Sequence, residues 1–341
     1  MRKILILGGA GFIGLEIARS LSKKEGYDVT VADILSNKSQ DDYLIKTIKD
    51  YPIKFIDCDL TDINSFDSFE KTYDNLYMLA SVVGVNKCIK YPDEVIRINT
   101  SIIQNTLEWI QKNEIKKALF SSSSECYAST TDEFSYDVPT SEKVPLSIAD
   151  IAHPRFTYAV TKMLGESAFL NFARVFNFEV SIVRYQNIFG PRMGFNHVIP
   201  HLVERFFNGN EDPFKIYGPE QTRAFCYITD AVIGTIMCME SNNSNQEIFH
   251  IGAPEEITVD KLVRSVGSIM NYKGSYIAAE AYPGSVSRRC PDISKATKFL
   301  GYEPMVKWIE GLKHTVNWYK EFFSSGKKIK DGGFSPPSKI L

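Results

Sequence analysis

Tyr158 and Lys162 stand four residues apart in "FTYAVTKMLGE", a spacing that places both on one face of a helix. A free tyrosine keeps its proton up to a pKa of about 10. A neighbouring ammonium favours the phenolate, and a positive nicotinamide ring would favour it further. Such a tyrosine takes the proton of a substrate hydroxyl while hydride leaves the same carbon for a nicotinamide cofactor. A second polar group precedes the pair. In "FSSSSECYA", residues 120–128, four hydroxyls from Ser121 to Ser124 stand before the carboxylate of Glu125. Tyr-x-x-x-Lys arises by chance on many surface helices, and a serine run alone reads as a linker, so the surrounding elements decide.

The apolar run "KILIL" suits a strand buried on both faces, and "FIGLEIARSLSKK" has helical periodicity with Ile13, Ile17 and Leu21 on one side. Between them lies "LGGAGFIG", with Gly8, Gly11 and Gly14 in a GxxGxxG spacing. Glycines there allow a tight turn and close approach of backbone to a pyrophosphate, and the helix start, at Phe12 and Ile13, favours anionic phosphate. Asp33 ends the next strand, "YDVTVAD". Its carboxylate can accept hydrogen bonds from a ribose diol and would repel a 2′-phosphate, which favours NAD over NADP.

"IKFIDCD", "NLYMLAS" and "KKALFSSSS" continue the strands, and "PDEVIRINTSIIQNTLEWIQKN" is a long helix with the stripe Val95, Ile98, Ile102, Thr106, Trp109. The helix pattern "TYAVTKMLGESAFLNFARVF" and the strand "VSIVRY" follow. Strands alternating with helices imply an α/β fold, a Rossmann-type doubly wound parallel sheet. Beyond Asn187 prolines and glycines crowd in and the elements shorten. We therefore expect an NAD-binding domain over 1–186 plus about 225–252. A smaller, irregular C-terminal lobe is expected over 187–224 and 253–322, where substrate would bind, and a mobile polar tail over 323–341.

The net charge of −2, from 39 Lys and Arg against 41 Asp and Glu, lacks the basic footprint of a nucleic-acid binder. No apolar stretch is long enough to span a bilayer. The N-terminus resembles a signal peptide, but its centre is rich in glycine and Glu16 and Arg19 follow too soon. The six cysteines are scattered with no CxxC pair, which fits thiols in a reducing compartment. A cytoplasmic location is expected. His197 and His201 are four apart, but Pro200 argues against one continuous helix and no carboxylate cluster joins them, so no metal is expected.

GxxGxxG, Asp33, a serine run after the fifth strand and Tyr158-x-x-x-Lys162 together resemble the extended short-chain dehydrogenases/reductases that modify nucleotide sugars. "RYQNIFGPR", "YGPEQTRAFCYITDAV" and "RRCPDISKATKFLGYEP" are similar to three further segments of that family, so the resemblance reaches to about residue 320. It implies that Asp59 and Leu60 lie near the adenine, that Ala80 sits beside the cofactor and that Asn99 orders that region. It also implies that Asn187, Arg192, Arg223 and Arg289 hold the substrate's diphosphate or sugar, a role that suits the guanidinium fork. A homodimer through the helices at 93–113 and 157–176 is implied as well. Leu7 departs from the threonine often found before the first glycine.

In that family the first step oxidises carbon 4 of the sugar. Aligned on Tyr127, Ser123 takes the place of the hydroxyl that assists Tyr158. Ser124 and Glu125 fall where the 4,6-dehydratases have Asp and Glu, so the acid for expelling water is missing. The expectation is NAD-dependent oxidation of a nucleotide sugar, as a 4-dehydrogenase or as the first step of 4-epimerisation, for surface polysaccharide or glycan precursors. Ser124-Glu125 with a distant Arg289 also resembles the glucuronate decarboxylases, although the insert "DVPTSEKVPLSIADIAHPRF" departs from their loop. The contrasting class is a non-catalytic NAD-binding regulator, which commonly lacks the Tyr-Lys pair.

Overall fold

The computed structural model describes residues 1–34, 41–127, 129–282 and 285–326. The first half lays down β1 (Arg2–Leu7), α1 (Phe12–Ser22), β2 (Tyr27–Asp33), α2 (Asp42–Asp50), β3 (Ile53–Asp57) and β4 (Thr72–Met78). Next come α3 (Val85–Lys90), α4 (Pro92–Lys112), β5 (Glu114–Ser123), α5 (Thr130–Phe134), α6 (Thr157–Phe176) and β6 (Glu179–Tyr185). The second half is more broken: β7 (Ile188–Phe189), α7 (Val198–Asn208), β8 (Phe214–Tyr217), β9 (Thr222–Ala224), β10 (Cys226–Tyr227), α8 (Ile228–Glu240) and β11 (Glu247–Ile251). It closes with β12 (Glu256–Thr258), α9 (Val259–Ile269), β13 (Tyr276–Ala279), β14 (Arg288–Arg289), α10 (Ser294–Leu300) and α11 (Trp308–Ser324).

Seven strands form one sheet in the order β11-β6-β5-β4-β1-β2-β3, and every neighbouring pair is parallel. The chain winds from β1 outward through β2 and β3, then crosses to β4 on the other side of β1, so the strand order reverses there. Side chains of β1 alternate between two cores. Ile4 and Ile6 pack with Ile17 and Leu21 of α1 and with α8, whereas Leu5 and Leu7 pack with α4 and with Phe169 of α6. Each fully buried aliphatic side chain of this kind contributes about 1.5–3 kcal/mol. The segment that resembled a signal peptide is thus an interior strand of the sheet, between β4 and β2, and the helix that follows it.

A third core joins α7, α9 and α11 to the short strands through Phe189, Leu202, Phe214, Val266, Leu312 and Tyr319. Two departures from the sequence expectation stand out. Ala296 of α10 and Tyr302, expected in the lobe, pack into the core beneath the sheet instead, because the Tyr302 hydroxyl donates to the Gly252 carbonyl at the end of β11. α7 is continuous across Pro200, since a proline in the first turn gives up an N–H that has no intrahelical partner. Of the tail expected over 323–341, Phe323 and Ser324 complete α11, and the residues from 327 onward lie outside the described ones.

Candidate active site

Gly165 fixes the distance between α6 and the sheet. A Cβ added there would lie 2.1 Å from Cζ of Phe120 in β5, so the helix rests directly on the strand that carries the serines. One turn earlier on α6, the Lys162 Nζ donates to the Ser121 carbonyl at 2.7 Å. It also lies 4.9 Å from the Phe120 ring and 5.6 Å from the Tyr158 ring. Lys162 is buried, and burial pulls its pKa down to about 8. The Ser123 hydroxyl is hydrogen-bonded to Tyr158 and accepts from the Glu125 amide at 3.2 Å. Tyr158 and Lys162, expected from their spacing, and Ser123 and Glu125, expected from the family resemblance, are therefore brought together. Burial, then the nearby Cys126, push the Tyr158 pKa up, and the Ser123 bond opposes them.

On the other side of β1, Gly8 has φ +79°, and a Cβ there would lie 2.5 Å from the Ala80 amide nitrogen. A Cβ on Gly14 would lie 2.6 Å from the Gly8 carbonyl oxygen. The turn thus needs glycine at both positions to let β1, α1 and the end of β4 meet. α1 begins at Phe12 with Gly11 as its N-cap and no side chain capping it, so the first amides of the helix, Phe12 and Ile13 among them, are available to an anion. Asp33 accepts from the amides of Ala10 at 3.0 Å and Ile34 at 2.8 Å, which holds its carboxylate beside the turn. Asn99 links the loop after β4 to α6: its side chain bonds both the N–H and C=O of Val82 and the Thr161 hydroxyl. Asp59 caps its own turn through Thr61, and Leu60 is buried beside it. A cradle that only glycine fits, an uncapped helix start and a carboxylate at the end of β2 suit an NAD pyrophosphate and ribose.

Opposite the serines, β14 pairs with β9 so that Arg289 lies next to Arg223. Arg289 donates to the Glu125 carboxylate at 2.5 Å. Burial would raise the Glu125 pKa, but Arg289, then Arg155 and Arg223, outweigh it and hold the carboxyl below its usual range. Arg223 also donates to the carbonyls of Thr222 and Val286, each at 2.7 Å. The Asn187 side chain donates to the Ala224 carbonyl at 3.0 Å, one residue from Arg223. Ser124 is buried in the single turn formed by Ser124–Tyr127. Arg192, expected among the substrate arginines, is placed elsewhere. Its φ of +68° turns it back to the glycine turn, where it donates to the carbonyls of Ala10 and Gly11.

Sequence reasoning missed the layer underneath. The Glu166 carboxylate takes two bonds from Arg184, at 2.8 and 2.7 Å, and also accepts from the Ser122 hydroxyl. Arg184 reaches the Glu142 carbonyl at 3.2 Å, and the Glu142 carboxylate accepts from the His250 amide at 2.9 Å. Tyr127 contacts the His250 Nε2 at 3.3 Å and accepts from Gln186. This chain of buried bonds lies under the Ser124–Tyr127 turn. Two signals were available: Glu166 is one further turn along the Tyr158–Lys162 face, and an arginine inside the apolar strand "VSIVRY" calls for a buried carboxylate. Arg155, three residues before Tyr158, was missed as well. Among the described residues no group of three or more His, Cys, Asp or Glu could hold a metal, and no helix is long and apolar enough to cross a membrane.

The chain is 32% identical to the UDP-N-acetyl-alpha-D-glucosaminuronate decarboxylase of Bacillus cytotoxicus, over 94% of this chain and 98% of that protein. It is 28% identical to the UDP-glucuronate 4-epimerase of Thermodesulfobacterium geofontis, over 96% and 98%. Its fold superposes with a TM-score of 0.82 on a variant of the Bacillus cereus UDP-glucuronic acid 4-epimerase crystallised with UDP-4-deoxy-4-fluoro-glucuronic acid and NAD, at 25% identity and covering 94% and 99% of the two chains. Residues 4–252 match the NAD dependent epimerase/dehydratase family. With this sheet, this glycine turn and the Tyr158–Lys162 helix, the chain belongs to the NAD-dependent epimerase/dehydratase family, within the extended short-chain dehydrogenases/reductases, and is an NAD-dependent enzyme.

Proposed function

We propose that the protein oxidises carbon 4 of a UDP-linked uronic acid and then decarboxylates the 4-keto sugar. The ion pair between Glu125 and Arg289, set against Tyr158 and Ser123, carries this reading. NAD, held by Gly8, Gly11, Phe12, Ile13, Gly14, Asp33, Asp59, Leu60, Ala80 and Asn99, supplies the hydride acceptor. Tyr158 takes the proton of the carbon 4 hydroxyl, Ser123 donates to the same oxygen, and the Lys162 ammonium stabilises the phenolate. The ketone then lies β to the carboxylate on carbon 5. As the carbon–carbon bond breaks, its electron pair passes to the carbon 4 oxygen as an enolate, which the Ser123 and Tyr158 hydroxyls stabilise. Carbon 5 afterwards regains a proton.

Three arginines around Glu125 offer cations to a substrate with a carboxylate and a diphosphate, and Arg223, Arg289 and Asn187 are assigned to it. An ionised Glu125 beside the sugar carboxylate favours its departure as neutral CO2. Ser124 has no acid to offer, so loss of water is disfavoured. The relative with 32% identity, a decarboxylase of a UDP-linked uronic acid, supports the same outcome. The runner-up is 4-epimerisation, in which the same Tyr158, Lys162 and Ser123 act and the carboxylate stays. The test is turnover: with NAD and UDP-glucuronate or UDP-N-acetylglucosaminuronate the protein should release CO2, and Tyr158→Phe should abolish release. A product that keeps its carboxylate, inverted at carbon 4, would contradict the reading.

The chain is further proposed to divide its work between a cofactor part, 1–186 with about 225–252, and a substrate lobe built on 187–224 and 253–322, from which α10 and Tyr302 depart to pack beneath the sheet. It is also proposed to act as a homodimer through α4 and α6. Ile96 and Leu164, 44% and 45% exposed on these two helices, support that face.

A further inference from the structure

Arg192 belongs by sequence to the substrate lobe, yet its hydrogen bonds run to the glycine turn and the start of α2. Its Nη2 donates to the Ala10 carbonyl at 2.7 Å, its Nη1 to the Gly11 carbonyl at 3.1 Å, and its Nε to the Asp41 carboxylate at 2.7 Å. The guanidinium also lies 6.0 Å from the Tyr43 ring, and its side chain is only 12% exposed. Asp41 in turn accepts from the Leu44 amide at 3.1 Å, capping α2. Ala10 is therefore gripped from two directions, its N–H by Asp33 and its C=O by Arg192. The carbonyl of Gly11 shares its peptide unit with the N–H of Phe12, one of the uncapped amides at the start of α1. A cation on that carbonyl polarises the unit so that the N–H becomes a better donor.

The other end of this link is equally fixed. Arg192 follows β7, which pairs with β10, and the next residue, Met193, accepts from the Tyr319 hydroxyl of α11. Three parts of the fold thus meet at one side chain: the glycine turn, the start of α2 and the lobe. We propose that Arg192 is a positioning residue of the cofactor site, which fastens the glycine turn to the lobe and so sets NAD affinity, and that it does not bind the nucleotide sugar. This rests on the assignment of NAD to the glycine turn. Lysine cannot replace it, because an ammonium on a flexible stem does not span three acceptors in one plane.

The test is calorimetric titration of the cofactor-stripped protein, with NAD in one series and UDP in the other, for the wild type, Arg192→Gln and Arg192→Lys. Both variants should bind NAD about tenfold more weakly or worse, equivalent to ~1.4 kcal/mol, while UDP affinity stays within about twofold by the same scale. Thermal melts without ligand show whether each variant folds, and should Arg192→Gln fail to fold, Arg192→Lys carries the test. NAD affinity unchanged in Arg192→Lys would overturn the inference, and so would a fall in UDP affinity as large as that for NAD. A wild-type protein that bound no NAD would instead refute the cofactor assignment.

Discussion

At Lys162 the same burial that aims the ammonium also weakens it. The side chain reaches the Ser121 carbonyl from inside the helix–sheet junction, and its pKa falls from 10.5 to about 8. The folded state therefore binds fewer protons than the unfolded chain between those two values, and stability conferred by this residue rises with pH across that window. Below pH 8 the buried charge is a cost, and above about 10.5 the cost is gone. Urea unfolding of the wild type against Lys162→Met should show the wild type gaining roughly 3 kcal/mol relative to the variant between pH 8 and 10.5. A difference that does not change with pH would sink this account of Lys162. The residues legible from spacing were Tyr158 and Lys162, one turn apart, whereas Ser123 was singled out of its serine run by the family resemblance. Arg192 was expected among the substrate arginines because a motif says nothing about a left-handed backbone, φ +68°, that turns the side chain round. Glu166 was missed because its partners, Ser122 and Arg184, come from the distant strands β5 and β6.

Between elements, the decisive contact is α6 on β5. Gly165 leaves room for the Phe120 ring, which stacks on Phe169 with centroids 4.9 Å apart, and the resulting close approach brings Lys162 and Tyr158 to the serines. Gly165→Ala should destabilise the protein by about 1–3 kcal/mol, the usual range for overpacking a core, and lower kcat more than it changes KM, since the reacting groups move apart while the substrate arginines on β9 and β14 stay put. Steady-state kinetics beside a thermal melt checks both. A variant with wild-type kcat would show that the helix–strand spacing does not set the chemistry. The bounds of α6 and β2 were readable directly, because periodicity runs unbroken to each end. β4 and β5 begin two or three residues earlier than the apolar pattern suggests, since ladder pairing extends into polar residues such as Thr72 and Glu114. α7 was hidden by Pro200, which looks like a breaker until its place in the first turn is known.

For the molecule as a whole, the reversal of strand order between β1 and β4 puts the glycine turn and the serine run at the same edge of the sheet. One strand separates them, so a cofactor on the turn reaches the Tyr158 side. That arrangement was legible from the alternation of strands and helices. The lobe was expected from its crowded prolines and glycines, but the pairing inside it was not legible, because its short strands pair across long sequence gaps, as β14 does with β9, and periodicity cannot show that. Exposed Ile96 and Leu164 belong to the proposed dimer face. Leu164→Asp should convert the protein to monomers in light scattering after gel filtration, and a wild type already monomeric at micromolar concentration would remove the proposal. The most direct test of the central claim is NMR of the reaction with NAD and UDP-glucuronate, or its 2-N-acetyl analogue, labelled with carbon-13 at carbon 6. Oxidation at carbon 4 followed by decarboxylation predicts that the label leaves the sugar and appears as bicarbonate, with no release by Tyr158→Phe. Label retained on a turned-over sugar would contradict it.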